Sequence, residues 1–210
     1  CCGDIVGYGA RPVECMDMVR SANMTVIAGN HDRGAAGMFA IDRFKPLAAE
    51  ALLWTQAQLD DEHKRYLREL PLIYRQEAFI CTHASLFEPE QFHYLDHYGA
   101  LARDFEQMGA VRLLFAGHTH IPAVYMARDE NMYRVDATDV ELKEGHAYIV
   151  NIGSVGQPRD RDPDACWCLF DTERGVVSLF RVPYDVERTQ REIREAGLPD
   201  ILAARLETGW

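Results

Sequence analysis

The chain has 210 residues, of which 48% are hydrophobic and 26% are charged, so its composition is that of a folded domain rather than a disordered segment. Its formal net charge of −11 argues against duplex nucleic acid as a bulk partner, because such binding needs Lys and Arg to neutralise phosphates. No apolar run reaches the roughly 20 residues that a bilayer span requires, so we expect no membrane partner.

Helical patterns dominate the first half of the chain. Apolar residues recur at helical spacing in the range 11–22, and Pro12 suits a first helical turn. A short strand is predicted at 25–28, and residues 1–4 resemble the end of another. The range from 34 to about 70 is predicted to be a helical excursion within the same domain, ended by Pro71.

Strands dominate the second half. Helices are predicted at 98–108, 186–195 and 199–207, and a turn at 129–131. Apolar runs bounded by turn residues predict strands at 78–82, 111–116, 123–128, 133–136, 148–152, 166–171 and 176–182. This order predicts an α/β fold with a two-sheet β-sandwich flanked by helices, formed as one domain over residues 1–210.

The six cysteines contain no CxxC pair and no framework typical of secreted proteins. Reduced thiols and a cytoplasmic location are therefore expected. Cys166 and Cys168 alternate along a predicted strand, and we expect them to fill space rather than bind zinc.

Potential metal ligands and titratable groups follow several predicted strands or glycine turns. They are Asp4, the run Asn30, His31 and Asp32, then His83, and finally His118 and His120. Imidazole, amide and carboxylate donors without thiolate suit Mn, Fe, Zn, Co or Ni. Such a site activates water and clamps a phosphoryl oxygen, which predicts hydrolysis of a phosphate ester by metal-bound hydroxide.

Other interpretations of the same residues stay open. Asp4 also suits an ordinary turn, and His83 alone would suit a buried structural role. Arg159 and Arg33 are candidates for contact with substrate phosphate, but both also suit solvated loop positions.

The motifs GDIVGYG, GNHD, the strand-end His83 and GHTH, in that order, resemble those of the calcineurin-like metallophosphoesterases. The stretch 151–159 resembles one found in small bacterial phosphodiesterase-like members of that family. The resemblance implies the four-layer α/β/β/α architecture of the family and a pair of divalent metal ions.

The resemblance also implies residue roles. Asp4 would bridge both ions, Asn30, His83 and His118 would complete one site, and His120 would serve the other. His31 would be the catalytic histidine, with Asp32 behind it. The substrate would be a small phosphodiester or phosphomonoester, and a homo-oligomer is compatible with the sequence.

Two departures from the family pattern define the alternatives. No Asp-x-His motif precedes Asp4, so we expect an N-terminally truncated domain that lacks the first strand and helix and offers a full ligand set for only one ion. The alternative function is a catalytically impaired binding module. The Asp-Arg-Gly continuation of phosphoprotein phosphatases is also absent, which disfavours that class, although a phosphoprotein or dinucleotide-polyphosphate phosphatase remains the second alternative.

Overall fold

The computed structural model describes residues 1–129 and 131–210, and its secondary structure is mixed α/β. Its helices are α1 (Pro12–Ser21), α2 (Asn30–Ala35), α3 (Pro46–Gln58), α4 (Asp61–Glu69), α5 (Tyr98–Gln107), α6 (Val186–Glu195) and α7 (Asp200–Ala204). Its strands are β1 (Ile73–Arg75), β2 (Ile80–Thr82), β3 (Leu113–Ala116), β4 (Ala123–Arg128), β5 (Asn131–Val135), β6 (Asp139–Glu141), β7 (Ala147–Asn151), β8 (Ala165–Asp171) and β9 (Val176–Val182).

The chain divides into two compact units. The first, termed the helical unit, consists of Cys1–Leu72 and Asp185–Thr208, and it contains α1–α4, α6 and α7. The second, termed the sheet unit, consists of Ile73–Tyr184 and Gly209–Trp210, and it contains α5 and strands β1–β9. One domain over 1–210 stays a prediction.

Helix α3 lies between two parts of the core of the helical unit. Leu52 packs in a cluster with Met16 of α1 and Leu67 of α4, whereas the preceding Ala51 packs with Ile193 of α6 and Leu202 of α7. Pro46 begins the helix, and its Ala- and Leu-rich sequence lets both sides be buried without a polar cost. The range 34–70 contains α3, α4 and a 3₁₀ turn at Ile41–Arg43, and its placement as an excursion within one domain stays a prediction.

The six-stranded sheet has the order β1-β2-β3-β7-β4-β5. Strands β2, β3 and β7 are parallel, and the remaining pairings are antiparallel. All four residues of β3 are buried, as expected for a central parallel strand. Because parallel strands end at the same edge of a sheet, the segments after β2 and β3 start side by side. Helix α5 packs on this sheet, with Leu101 and Met108 in a cluster with Ile80, Leu114 and Ile149.

The second sheet has the order β6-β9-β8, in which the antiparallel pair β8 and β9 matches the strands predicted at 166–171 and 176–182. Ring contacts of 5.7–6.2 Å among Phe79, Phe115 and Phe170 join it to the six-stranded sheet. Side chains of β8 alternate, so that Cys166 is buried while Trp167 is 41% exposed. Burial raises the pKa of Cys168 to about 12, which keeps this thiol protonated at neutral pH. The predicted α/β class with two sheets and flanking helices is confirmed.

Local predictions differ from the structure at several points. Residues 1–4 and 25–28 form no strand; they are linked by isolated bonds, such as Ile27 N–H to the Cys1 carbonyl at 3.2 Å. The segment after 25–28 turns directly into α2 at Asn30 rather than into a loop. The three-residue strands β1 and β6 were not predicted. The turn predicted at 129–131 includes Glu130, which lies outside the described residues. Across the described ranges, no helix has the length and apolar character needed to cross a bilayer.

Candidate active site

Asp4 occupies a tight turn against the first residues of α2. Its φ of 55° lies in the left-handed region, which is unusual for an aspartate. One carboxylate oxygen accepts the N–H of His31 at 2.8 Å. Gly29 permits this approach, because a Cβ there would lie 2.6 Å from the Asp4 carboxyl carbon. The turn therefore fixes the direction of the Asp4 carboxylate.

Asp32 accepts main-chain hydrogen bonds from the same turn. Its side chain is fully buried, and its carboxylate accepts N–H groups of Asp4 at 2.7 Å, Ile5 at 2.9 Å, Val6 at 3.4 Å and Gly29 at 2.9 Å. Several backbone donors stabilise a buried carboxylate in its ionised form. These bonds give Asp32 a structural role in holding Asp4, while the contact with the imidazole of His31 stays a prediction.

His31 is 4% exposed and is enclosed by aromatic rings. Its ring centroid lies 4.5 Å from that of Tyr8 and 5.1 Å from that of Phe44. Gly7, with a φ of 141°, closes the remaining side, since a Cβ there would lie 2.8 Å from the imidazole Cγ. Asn30, the first residue of α2, is also buried. Asp4, Asn30, His31 and Asp32 thus come together within the helical unit.

Arg33 contacts main-chain carbonyls. Its guanidinium donates to the carbonyl of Leu70 at 2.9 Å and to that of Arg68 at 3.4 Å. These bonds secure the C-terminal end of α4, where carbonyl groups lack helical partners. Substrate contact by Arg33 stays a prediction, now beside a defined structural role.

His83 and His118 face each other in the sheet unit. Nε2 of His83 lies 3.1 Å from Nδ1 of His118, and both side chains are buried. Two nitrogens that each lie roughly 2.0–2.1 Å from one ion would be about 2.9 Å apart at a right angle and about 3.3 Å apart at the tetrahedral angle. The pair therefore fits two ligands of one metal ion, although the spacing also suits a hydrogen bond.

Main-chain contacts fix the segments that carry these histidines. The N–H of Gly117 donates to the carbonyl of His83 at 2.9 Å. Beyond His83, the carboxylate of buried Asp104 accepts the Ser85 hydroxyl at 2.5 Å and the Leu86 N–H at 2.8 Å. Burial raises the pKa of Asp104, and these donors act in the opposite direction. Helix α5 thus holds the chain that leaves His83.

Aromatic side chains lie on both of these histidines. The ring of Tyr94 lies 4.1 Å from that of His118, and the ring of Phe92 lies 5.9 Å from that of His83. Tyr94 is 46% exposed, whereas Phe92 is buried. Tyr94 and Phe92 therefore line the His118 and His83 rings.

His120 is bonded to the stretch 151–159. Its Nδ1 lies 2.7 Å from the main-chain oxygen of Gln157, an acceptor that requires a proton on Nδ1. The other ring nitrogen, Nε2, then carries the lone pair that a metal needs. The N–H of Arg159 donates to the carbonyl of His120 at 3.1 Å. Asn151 donates to the carbonyl of Gly117 at 2.6 Å, so the stretch supports the GHTH segment at both ends.

The sequence pattern that defines the calcineurin-like phosphoesterase superfamily domain matches residues 1–175. The chain belongs to this superfamily. An uncharacterized protein of Methanocaldococcus jannaschii, MJ0912, is 36% identical over 213 residues, a match that covers 100% of this chain and 85% of that protein.

Solved structures agree with this calcineurin-like phosphoesterase assignment. A metallophosphoesterase from Sphaerobacter thermophilus has a TM-score of 0.83 and 36% identity, with coverage of 100% of this chain and 86% of that one. The hypothetical protein PH1004 from Pyrococcus horikoshii OT3 has a TM-score of 0.79, with coverage of 99% and 83%. At 22% identity, the second likeness concerns the fold alone.

Membership of the calcineurin-like phosphoesterases supports a hydrolase that depends on metal and acts on phosphate esters. Within each unit the structure groups the predicted residues: Asp4, Asn30, His31 and Asp32 in one, and His83, His118, His120 and Arg159 in the other. Sequence analysis assigned no specific role to Gln157 or Asp104. Only Gln157 had a usable signal, since it lies in the stretch 151–159.

Proposed function

We propose that this chain hydrolyses a small phosphate ester, either a phosphodiester or a phosphomonoester, in a metal-dependent reaction. The observation that carries the proposal is the 3.1 Å separation of His83 Nε2 and His118 Nδ1, which suits two ligands of one ion. A shared cation would stabilise the close approach of two buried imidazoles, and the superfamily is metal-dependent.

Asp4, Asn30, His83 and His118 are proposed to hold one divalent ion. His120, together with Asp4, would hold a second ion. Mixed oxygen and nitrogen donors favour Mn, Fe, Zn, Co or Ni. When bound, such ions supply Lewis-acid chemistry at the phosphoryl group. This assignment rests on donor chemistry and on the family.

His31 is the proposed proton donor to the leaving group, or a contact that steadies the phosphate. The rings of Tyr8 and Phe44 pack against its imidazole and limit its movement, which favours a directional role. Arg159 is proposed to contact the phosphoryl oxygens, because its main chain is bonded to His120. Asp32 and Arg33 keep their proposed catalytic and substrate roles beside the structural bonds described above.

A small-molecule substrate is favoured over a phosphoprotein. Gly7, Tyr8 and Gly9 occupy the positions where the phosphoprotein phosphatases of the family carry Asp-Arg-Gly. The net charge of −11 also disfavours duplex nucleic acid as a partner. A homo-oligomer and a cytoplasmic location remain part of the proposal.

A substrate panel tests this function. Turnover would be measured with Mn²⁺ on an aryl phosphodiester, an aryl phosphomonoester and a phosphopeptide. We expect hydrolysis of at least one aryl ester, with the phosphopeptide slower. If the phosphopeptide is hydrolysed much faster than both aryl esters, the proposed substrate class is wrong. If no substrate is turned over with any of Mn, Fe, Zn, Co or Ni, the proposed enzyme activity is refuted.

A further inference from the structure

We infer that Gln157 is a positioning residue that aims the guanidinium of Arg159 at the phosphoryl group of the substrate while its main chain fixes the imidazole of His120. This inference rests on the proposed function and deepens it, because it assigns the stretch 151–159 a task in phosphate recognition.

The side chain of Gln157 is only 4% exposed, although it is polar. Its Oε1 accepts Nη2 of Arg159 at 2.8 Å and Nε at 3.3 Å. A buried amide oxygen that receives two contacts from one guanidinium is a fixed anchor rather than a surface contact. The planar guanidinium has five N–H groups in a rigid arrangement, so anchoring its Nε–Nη2 edge also sets the direction of its other donors.

The main chain of Gln157 is equally constrained. Its N–H donates to the hydroxyl of Ser154 at 3.0 Å, and its carbonyl oxygen lies 2.7 Å from Nδ1 of His120. The N–H of Arg159 donates to the carbonyl of His120 at 3.1 Å. The main chain of Gln157 therefore contacts His120, a proposed metal ligand. Its side chain contacts Arg159, the residue proposed to bind the substrate phosphate.

The two contacts made by Gln157 have a consequence for phosphate binding. A phosphoryl group held by a cation beside His120 would meet a guanidinium whose direction is already set, so less conformational entropy is lost on binding. The requirement for a buried acceptor of the right length explains a glutamine two residues before the arginine. The two contacts of Gln157 can be tested separately, because a side-chain substitution leaves the carbonyl of residue 157 in place.

The variants are Gln157→Leu, Arg159→Ala and their combination, with Gln107→Leu as the matched control. Leucine removes the acceptor with little change in volume, and Gln107 is an exposed residue at the end of α5. Three quantities would be measured in the metal-loaded protein: KM and kcat for the aryl phosphodiester, and the dissociation constant of inorganic phosphate. The ¹⁵N shifts of His120 would be recorded without metal.

We expect Gln157→Leu to raise KM and the phosphate dissociation constant by about tenfold, the size of one charge-assisted hydrogen bond, with kcat within about threefold. In the Arg159→Ala background the same substitution should have no further effect, because the two residues act as one unit. The His120 shifts should still report a proton on Nδ1, and Gln107→Leu should behave as the wild type.

Unchanged phosphate affinity in Gln157→Leu, or effects that multiply with those of Arg159→Ala, would overturn the inference. So would loss of the Nδ1 proton signature in Gln157→Leu, since it would indicate general disruption of the segment. If the wild type hydrolyses no ester, the proposed function fails, but the phosphate dissociation constants still decide the role of Gln157.

Discussion

Three of the proposed metal ligands adopt left-handed backbone conformations: Asp4 with φ 55°, His118 with φ 64° and His120 with φ 61°. Each such residue costs about 1 kcal/mol or more relative to an ordinary conformation, so the surrounding bonds must compensate. For Asp4 the compensation comes from Asp32, and for the GHTH segment it comes from Asn151 and Gln157. Strain at these positions is typical of functional sites.

Asp32→Asn tests the structural role of that carboxylate. The variant keeps one oxygen but turns an NH₂ group towards two of the four N–H donors, either those of Asp4 and Gly29 or those of Ile5 and Val6. Leaving two buried donors without an acceptor should lower the free energy of unfolding by about 2 to 4 kcal/mol, measured by urea denaturation.

Asp42→Asn is the control for this change, because Asp42 is exposed in the 3₁₀ turn after α2. We expect its stability to match the wild type within about 0.5 kcal/mol. If Asp32→Asn kept full stability and lost only turnover, the carboxylate would serve the imidazole of His31 instead.

At the scale of elements, helices were predicted well because their signals are local. Pro46 at the start of α3 and Asp60, which accepts the N–H of His63 at 2.9 Å before α4, define boundaries without tertiary information. The three-residue strands β1 and β6 carry no comparable signal, since their pairing partners define them. The segment 25–28 has strand-like composition but only isolated backbone bonds.

The residues of the site likewise divide into those that have a local sequence signal and those that have none. Asp4, Asn30, His83, His118 and His120 could be identified because metal chemistry restricts the residue types and the motifs are contiguous. Their supports could not be identified, because Asp104 and Gln157 bond to residues 19 and 37 positions away. Long-range hydrogen bonds of this kind leave no local periodicity.

Gly7→Ala tests the turn between Asp4 and Ala10 as an element. A methyl group at position 7 would strike the imidazole of His31, which Tyr8 and Phe44 prevent from moving, and the φ of 141° disfavours alanine. We expect a loss of about 2 kcal/mol or more in unfolding free energy and a large fall in turnover.

Gly9→Ala is the matched control two residues away. Among the described residues other than its two chain neighbours, no heavy atom lies within 4 Å of a Cβ at that position, and its φ is not in the left-handed region. Its stability and turnover should equal those of the wild type. Equal behaviour of the two variants would show that His31 is not confined by Gly7.

At the scale of the whole molecule, each unit supplies its own preorganised donors. The helical unit orients Asp4 through Asp32 and the start of α2, and the sheet unit orients His83 and His118 at the ends of parallel strands. A bound metal ion would use donors that these contacts already hold in place.

Metal content and turnover, measured together, test this central claim most directly. The wild type, His118→Ala and His97→Ala would be loaded with Mn²⁺, freed of excess metal and assayed on an aryl phosphodiester; His97 is exposed and pairs with Asp96. We predict at least one retained ion per chain with turnover in the wild type and in His97→Ala. His118→Ala should lose both, with metal affinity at least about 100-fold weaker. Full metal content in His118→Ala, or a wild type that retains no ion and turns over no ester, would contradict the account.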